Sequence, residues 1–234
     1  MFPFFYLPDR YYIFLVIPAL LLAGWAQMRV KTTFAQYSRS FVSNGLTGAQ
    51  AARHILDANG LQHVRIEMIP GHLSDHYDPT AHVIRLSFDV YGQSTVAAVG
   101  VAAHETGHAI QHAKGYAPLQ IRNTIIPLTN IGSTLSMPMI LLGFFMGLQP
   151  LVSLGIILFS LVTLFQLITL PVEFDASKRA LQTLDSYRLV SQQEHQGVHR
   201  VLSAAALTYV AALIVSVANL LRLILLFGNR DDRR

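Results

Sequence analysis

The chain contains no cysteine, so it has neither a disulfide framework nor a thiolate metal site, and any bound metal has to sit on histidine and carboxylate. Charge is also scarce. Asp, Glu, Lys and Arg make up 13% of the 234 residues, against about a quarter in a soluble domain. Hydrophobic residues reach 52% and the mean hydropathy is +0.42, which excludes an ordinary soluble domain and places the chain in the membrane class. The net charge of +4 is spread along the sequence without a basic run, leaving nucleic-acid binding unsupported. There is no internal repeat and no low-complexity segment. Glutamate is rare enough to name in full: Glu67, Glu105, Glu173 and Glu194.

Against that background one stretch stands out, Val101-Ala-Ala-His104-Glu105-Thr106-Gly107-His108-Ala-Ile-Gln-His112. On a helix His104 and His108 lie one turn apart on one face, about 6 Å between Cβ atoms, a spacing at which two imidazoles can share a tetrahedral zinc. Glu105, about 100° round the helix, can still reach a water on the open coordination position and take its proton. With this composition, about 0.007 chance occurrences of His-Glu-x-x-His are expected in a chain of this length. Ser94 is placed to cap, and Gly115 to end, a helix of about 20 residues around the motif.

The remaining segments frame that helix. Residues 1–10 are short and aromatic, with only Asp9 and Arg10 charged. Residues 11–28 form an uncharged run long enough for one crossing. Gly24-Trp25-Ala26 loosely resembles a signal-peptide cleavage site, but the run lacks a positive front, and Arg29 and Lys31 follow it directly. An uncleaved anchor with its N-terminus outside is therefore expected, residues 1–28 forming an N-terminal transmembrane domain. Residues 29–123 read as an α+β catalytic region. A helix over residues 47–59 is capped by Thr47 and closed by Gly60, a strand covers residues 63–69, a polar loop covers 71–79, and a second strand covers 82–90. Lying next to the metal helix, that second strand is expected to be an edge that pairs with an extended substrate. Residues 124–170 form a helical hairpin from two apolar runs, 130–148 and 151–170, with Pro138 inside the first. Residues 171–200 are a polar helix, and 201–234 a fourth transmembrane helix with a short tail. The fold class expected is a mainly α-helical integral membrane protein with four spans and a small zincin-like α+β part.

Residues 29–123 carry eight Lys/Arg and residues 171–200 carry four, twelve of the seventeen, so both polar segments are expected in the cytoplasm. A two-span hairpin separates them, so they share a side and can build one site. A catalytic zinc needs three protein ligands. His112 lies eight residues beyond His104, about 12 Å along the axis, too far to join the same ion. Lys114 stands where the extended His-Glu-x-x-His-x-x-Gly-x-x-His pattern would place its last His. Among the glutamates Glu173 is the best placed, two residues past Pro171 at the mouth of the third run. Asp175 reads as a salt-bridge partner of Lys178 or Arg179 on the opposite helix face.

Val101-Ala-Ala-His-Glu-Thr-Gly-His-Ala-Ile-Gln111 resembles the signature of the bacterial YugP-type membrane neutral zinc metallopeptidases. So do Leu73-Ser-Asp-His-Tyr-Asp-Pro79, Val172-Glu-Phe-Asp-Ala-Ser-Lys-Arg-Ala180 and Val201-Leu-Ser-Ala-Ala-Ala-Leu-Thr-Tyr-Val-Ala211. The layout is also similar to HtpX-like membrane proteases. The resemblance implies zinc-dependent peptide hydrolysis, with His104, His108 and Glu173 as ligands. In many such enzymes an Asp four residues after the ligand Glu supports the first His; here that position is Ser177.

The functional expectation is a membrane zinc endopeptidase with one Zn²⁺ per chain and Glu105 as base, then acid. It would act on peptide or protein substrates, membrane proteins among them, in contact with the bilayer and not with nucleic acid. His72, His76, Tyr77 and Arg179 are candidate stabilisers of the transition-state oxyanion. A membrane zinc-binding scaffold or chaperone without hydrolysis is the alternative, though it gives Glu105 no task. An intramembrane protease is rejected, because only residues 95–103 before the motif are apolar, far short of about 20. His195 and His199 lack an interposed acid and read as surface histidines. Arg222 and Asn219 in the last run suit either a polar path or an arginine snorkelling to the interface.

Overall fold

The computed structural model describes residues 9–227; the start of the aromatic stretch, residues 1–8, and the polar tail, residues 228–234, lie outside the described residues. A π-helical turn, Tyr12–Val16, runs into α1 (Ile17–Tyr37). After it come α2 (Gly48–Ala58), β1 (Arg65–Ile69), β2 (His76–Asp78), β3 (Val83–Ser87), α3 (Phe88–Tyr91) and α4 (Val96–Ala113). Three long helices complete the chain: α5 (Ala117–Met146), α6 (Gln149–Ser186) and α7 (Gln192–Phe227). The protein is mainly helical, and four of its helices are long and apolar enough to cross a membrane: the N-terminal one, α5, α6 and α7. Both Pro127 and Pro138 fall inside α5.

The residues group into two compact units. One contains the N-terminal helix as far as Ala26, Ile121–Leu170, and the chain from Thr208 onward. Its helices approach through small residues. A Cβ on Gly132 would stand 2.7 Å from the Leu158 carbonyl oxygen, and one on Gly155 would stand 2.8 Å from that of Ser136, so backbones meet where bulkier side chains would hold them apart. The hydroxyls of Thr163 and Ser216 hydrogen-bond at 2.8 Å. Arg222 pairs with Asp9 at 2.6 Å and lies over the Tyr12 ring. Asn219 donates back to Val215 of its own helix.

The other unit is Gln27–Gln120 with Pro171–Leu207. Thr47 and Gln50 form a reciprocal capping box at the start of α2, and Gly60, at φ +75°, closes it, as the sequence suggests. The apolar face of α2, with Ile55 and Leu56 fully buried, packs on β3 and α4 around Ile84, Leu86, Val99 and Leu184. The sheet has strand order β1-β3-β2, with β1 parallel and β2 antiparallel to β3. This overturns the edge-strand expectation for residues 82–90. Val83, Ile84, Leu86 and Ser87 of β3 are all buried, the pattern of a central strand covered on both faces, and both its edges are taken. It also stops early, at Ser87, where Asp75 accepts hydrogen bonds from the backbone N–H (2.6 Å) and the hydroxyl (3.1 Å); Phe88–Tyr91 is then a turn of helix. The loop read over residues 71–79 supplies one of the two edge strands, β2.

Candidate metal centre

α4 carries the motif through the middle of its unit. Its cap is Thr95, which accepts from the Ala98 N–H at 3.2 Å, one residue after the Ser94 expected from sequence. It ends at Gly115, in the left-handed region at φ +62°. Gly107 decides what α4 can lie against: a Cβ there would stand 2.5 Å from the Ala176 carbonyl oxygen, so only glycine lets the two backbones come this close. That approach brings Glu173, on α6, to the histidine face of α4.

The Glu173 Oε2 lies 3.3 Å from His104 Nε2 and 3.7 Å from His108 Nε2. All three donor atoms fall within 4.8 Å of one another. Four-coordinate zinc with bonds of about 2.0–2.2 Å separates its ligand atoms by about 3.4 Å, so the donor set fits that ion in spacing as well as in chemistry. The side chains are largely withdrawn from solvent, 16% exposed for His104, 12% for His108 and 3% for Glu173.

Hydrogen bonds orient both rings. Gln111, fully buried one turn after His108, donates from Nε2 to the Val172 carbonyl at 2.7 Å and to Asp175 Oδ2 at 2.8 Å. Both amide protons are thereby used, so the amide oxygen must face His108 Nδ1, 3.0 Å away, and accepts its proton. His108 is left with its Nε2 turned towards Glu173. On the other ring, Ser177 Oγ stands 3.2 Å from His104 Nδ1, so a serine does at this position the orienting work of the absent aspartate. Asp175 does not lie clear of the site as expected. It does pair with Arg179 at 2.5 Å, but it also holds Gln111 in place.

Glu105 is buried, 7% exposed, and its charge is felt at two neighbours. Burial works against a charged His108, yet Glu173, Glu105 and Gln111 outweigh it and hold its pKa above the ordinary value. Burial likewise pushes the Asp75 carboxyl above its usual range, with Glu105 adding to the push against the hydrogen bonds from Ser87.

The four proposed oxyanion stabilisers are not brought together. His72 is exposed and paired with Asp89. His76 is exposed, its Nδ1 2.9 Å from the Ser74 carbonyl. Tyr77 is hydrogen-bonded to His112 Nδ1 at 2.9 Å, and burial with the nearby Asp78 charge raises its pKa to about 12. Arg179 is held by Asp175. His112 takes no part in the triad, in keeping with its distance along the helix. His195 bonds the Leu181 carbonyl and His199 lies by Ser203, with no metal group around them among the described residues. Gln111 and Gly107 are the contributors that sequence reading passed over, and Ser177 entered it only as the residue standing where an aspartate is expected.

Comparison with known proteins places the chain. Residues 12–228 match the family described as "Putative neutral zinc metallopeptidase". The chain belongs to this family. A Bacillus subtilis (strain 168) protein described as "Putative membrane protease YugP" is 50% identical over 221 residues, covering 94% of this chain and 98% of that relative. No solved structure matches the chain. Family membership and four apolar helices make this a multi-pass membrane protein of a zinc peptidase family.

Proposed function

We propose that the chain is a zinc-dependent endopeptidase working at the cytoplasmic membrane surface, with one zinc held by His104, His108 and Glu173. The observation that carries this reading is the convergence of those three donors beside a buried Glu105 in a metallopeptidase family member. A zinc ion there supplies Lewis-acid chemistry, polarising the scissile carbonyl and making water a better nucleophile near neutral pH. Glu105 takes the proton of the attacking water and delivers it to the leaving amine. Gln111 takes the Nδ1 proton of His108, and Ser177 contacts Nδ1 of His104, so both rings turn Nε2 towards Glu173. β2 has no strand on its outer side among the described residues and packs near α4, so its edge can align an extended peptide by main-chain pairing. A zinc-binding scaffold has no use for a buried carboxylate one residue from a ligand.

The test is Glu105→Gln in the full-length protein. Zinc content is expected to stay near one per chain, while hydrolysis of a membrane-protein substrate falls by about 10²-fold or more. Full activity in the Gln variant overturns the mechanism, and proteomic comparison of membranes carrying the two forms names the substrates.

A further inference from the structure

We propose that the groove between α6 and α7 is a binding site for an anionic phospholipid. Phe174, Ser177, Lys178, Leu202, Ala206 and Leu207 line this groove of about 570 Å³, all within the unit that carries the metal centre. Its floor is apolar, Leu202 and Ala206 being almost fully covered, while Phe174 at its rim is half exposed. No acidic residue lines it.

The polarity is graded along the helices in the order a lipid presents. The uncharged run of α6 ends at Leu170, and Phe174 follows within about one turn; on α7, Ala206 and Leu207 already belong to the next apolar run. Lys178 lies eight residues past Leu170, about 12 Å along the axis. The polar headgroup layer is about 5–8 Å deep on each side of a bilayer, and the lysine stem bridges the remainder. A phosphate in that layer is therefore within reach of the ammonium while the acyl chain lies against Phe174 and Leu207. Lys178 is free for it. It makes no ion pair among the described residues, whereas Arg53, Arg65, Arg85, Arg179 and Arg222 all do. A basic pocket between membrane helices is suited to an anionic headgroup.

A substrate side chain is the competing occupant, and the geometry disfavours it. Ser177, which lines the groove, touches His104 at Nδ1, the nitrogen turned away from Glu173, so the groove lies behind the metal centre and not on its reacting side. Through Ser177 the lipid bears on the residue that orients a metal histidine.

The experiment uses full-length protein with Trp25→Phe and Phe174→Trp, which makes the groove rim the sole tryptophan. Brominated phosphatidylglycerol and brominated phosphatidylcholine are titrated into the detergent-solubilised protein and quenching is followed. Phosphatidylglycerol should quench at a several-fold lower mole fraction, Lys178→Gln should erase that preference, and Lys178→Arg should keep it. Ala206→Phe, which fills the floor, should weaken quenching by both lipids. Equal curves for the two lipids, a preference indifferent to Lys178→Gln, displacement by glycerol phosphate alone, or displacement by an uncharged apolar peptide would each overturn the proposal. Hydrolysis is not read, so failure here leaves the peptidase reading standing, and loss of that reading leaves the lipid site.

Discussion

Two side chains decide how well the metal ligands are held, and neither belongs to the motif's defining residues. Gln111 spends both amide protons on α6 and so must offer its oxygen to His108. Gln111→Leu keeps approximate volume but frees the His108 ring to rotate and change tautomer, and zinc affinity should fall by about 10–100-fold, measured by competition with a chelator. Asp175→Ala should fall by less, because the Val172 carbonyl still holds one Gln111 proton. Glu173→Ala should lose zinc outright, since a ligand is removed. The three candidate donors that the structure brings together could be named from the sequence: the histidine spacing sets two rings on one helix face, and a chain with four glutamates offers few third donors. Their supports could not, because a glutamine in an Ala/Ile-rich turn and a serine on another helix gain meaning only when α4 and α6 are apposed. His112 adds a pH signature. Burial, then the neighbouring His82, lowers its pKa below the ordinary 6.5. The unfolded chain therefore takes up a proton near 6.5 that the folded chain refuses, so this contribution to stability is whole above that pH and is lost as the pH falls through it. Melting temperatures between pH 8 and 5 should decline less steeply in His112→Gln than in the parent, and identical slopes would remove His112 from the account.

At the scale of elements, the crossing of α4 and α6 is the feature on which the centre depends. Gly107→Ala places a methyl 2.5 Å from the Ala176 carbonyl oxygen, which is backbone and cannot swing aside. The helices must separate, at an overpacking cost of about 1–3 kcal/mol, and Glu173 moves with α6. Lower melting temperature and weaker zinc binding should therefore appear together. Gly92→Ala is the control, since a Cβ there meets nothing within 4 Å and should change neither. Helix ends were readable because caps are local: Thr47 and Gly60 bound α2, and Gly115 ends α4, although Thr95 displaces Ser94 at its start. Strand order was not readable. The run Val83-Ile84-Arg85-Leu86-Ser87 alternates weakly; its β1 partner comes from residues well upstream, and its β2 hairpin partner is a polar stretch without a strand pattern. The polar loop yielded β2 only because β3 needed a partner on that edge.

Over the whole molecule, charge asymmetry makes the topology testable. The four long apolar helices were plain in the sequence, because length and hydropathy suffice for a span. Their direction rests on the basic residues beside the span ends. Arg29, Lys31 and Arg39 follow the first run and Arg122 precedes the second; Lys178, Arg179 and Arg188 follow the third and Arg200 precedes the fourth. The stretches expected on the opposite side hold Arg10 and the three arginines of the tail. A chain without cysteine permits single-cysteine labelling with no background. Exposed Gln62 and Gln193 are the positions to use for the unit that holds the metal centre, and exposed Leu148 for the turn between α5 and α6. In intact cells a membrane-impermeant thiol reagent should label Leu148→Cys and spare Gln62→Cys and Gln193→Cys until the membrane is opened. The reverse pattern would turn the site outward. The twelve basic residues of the two polar segments would then lie on the translocated side, and a cytoplasmic protease could not be the function.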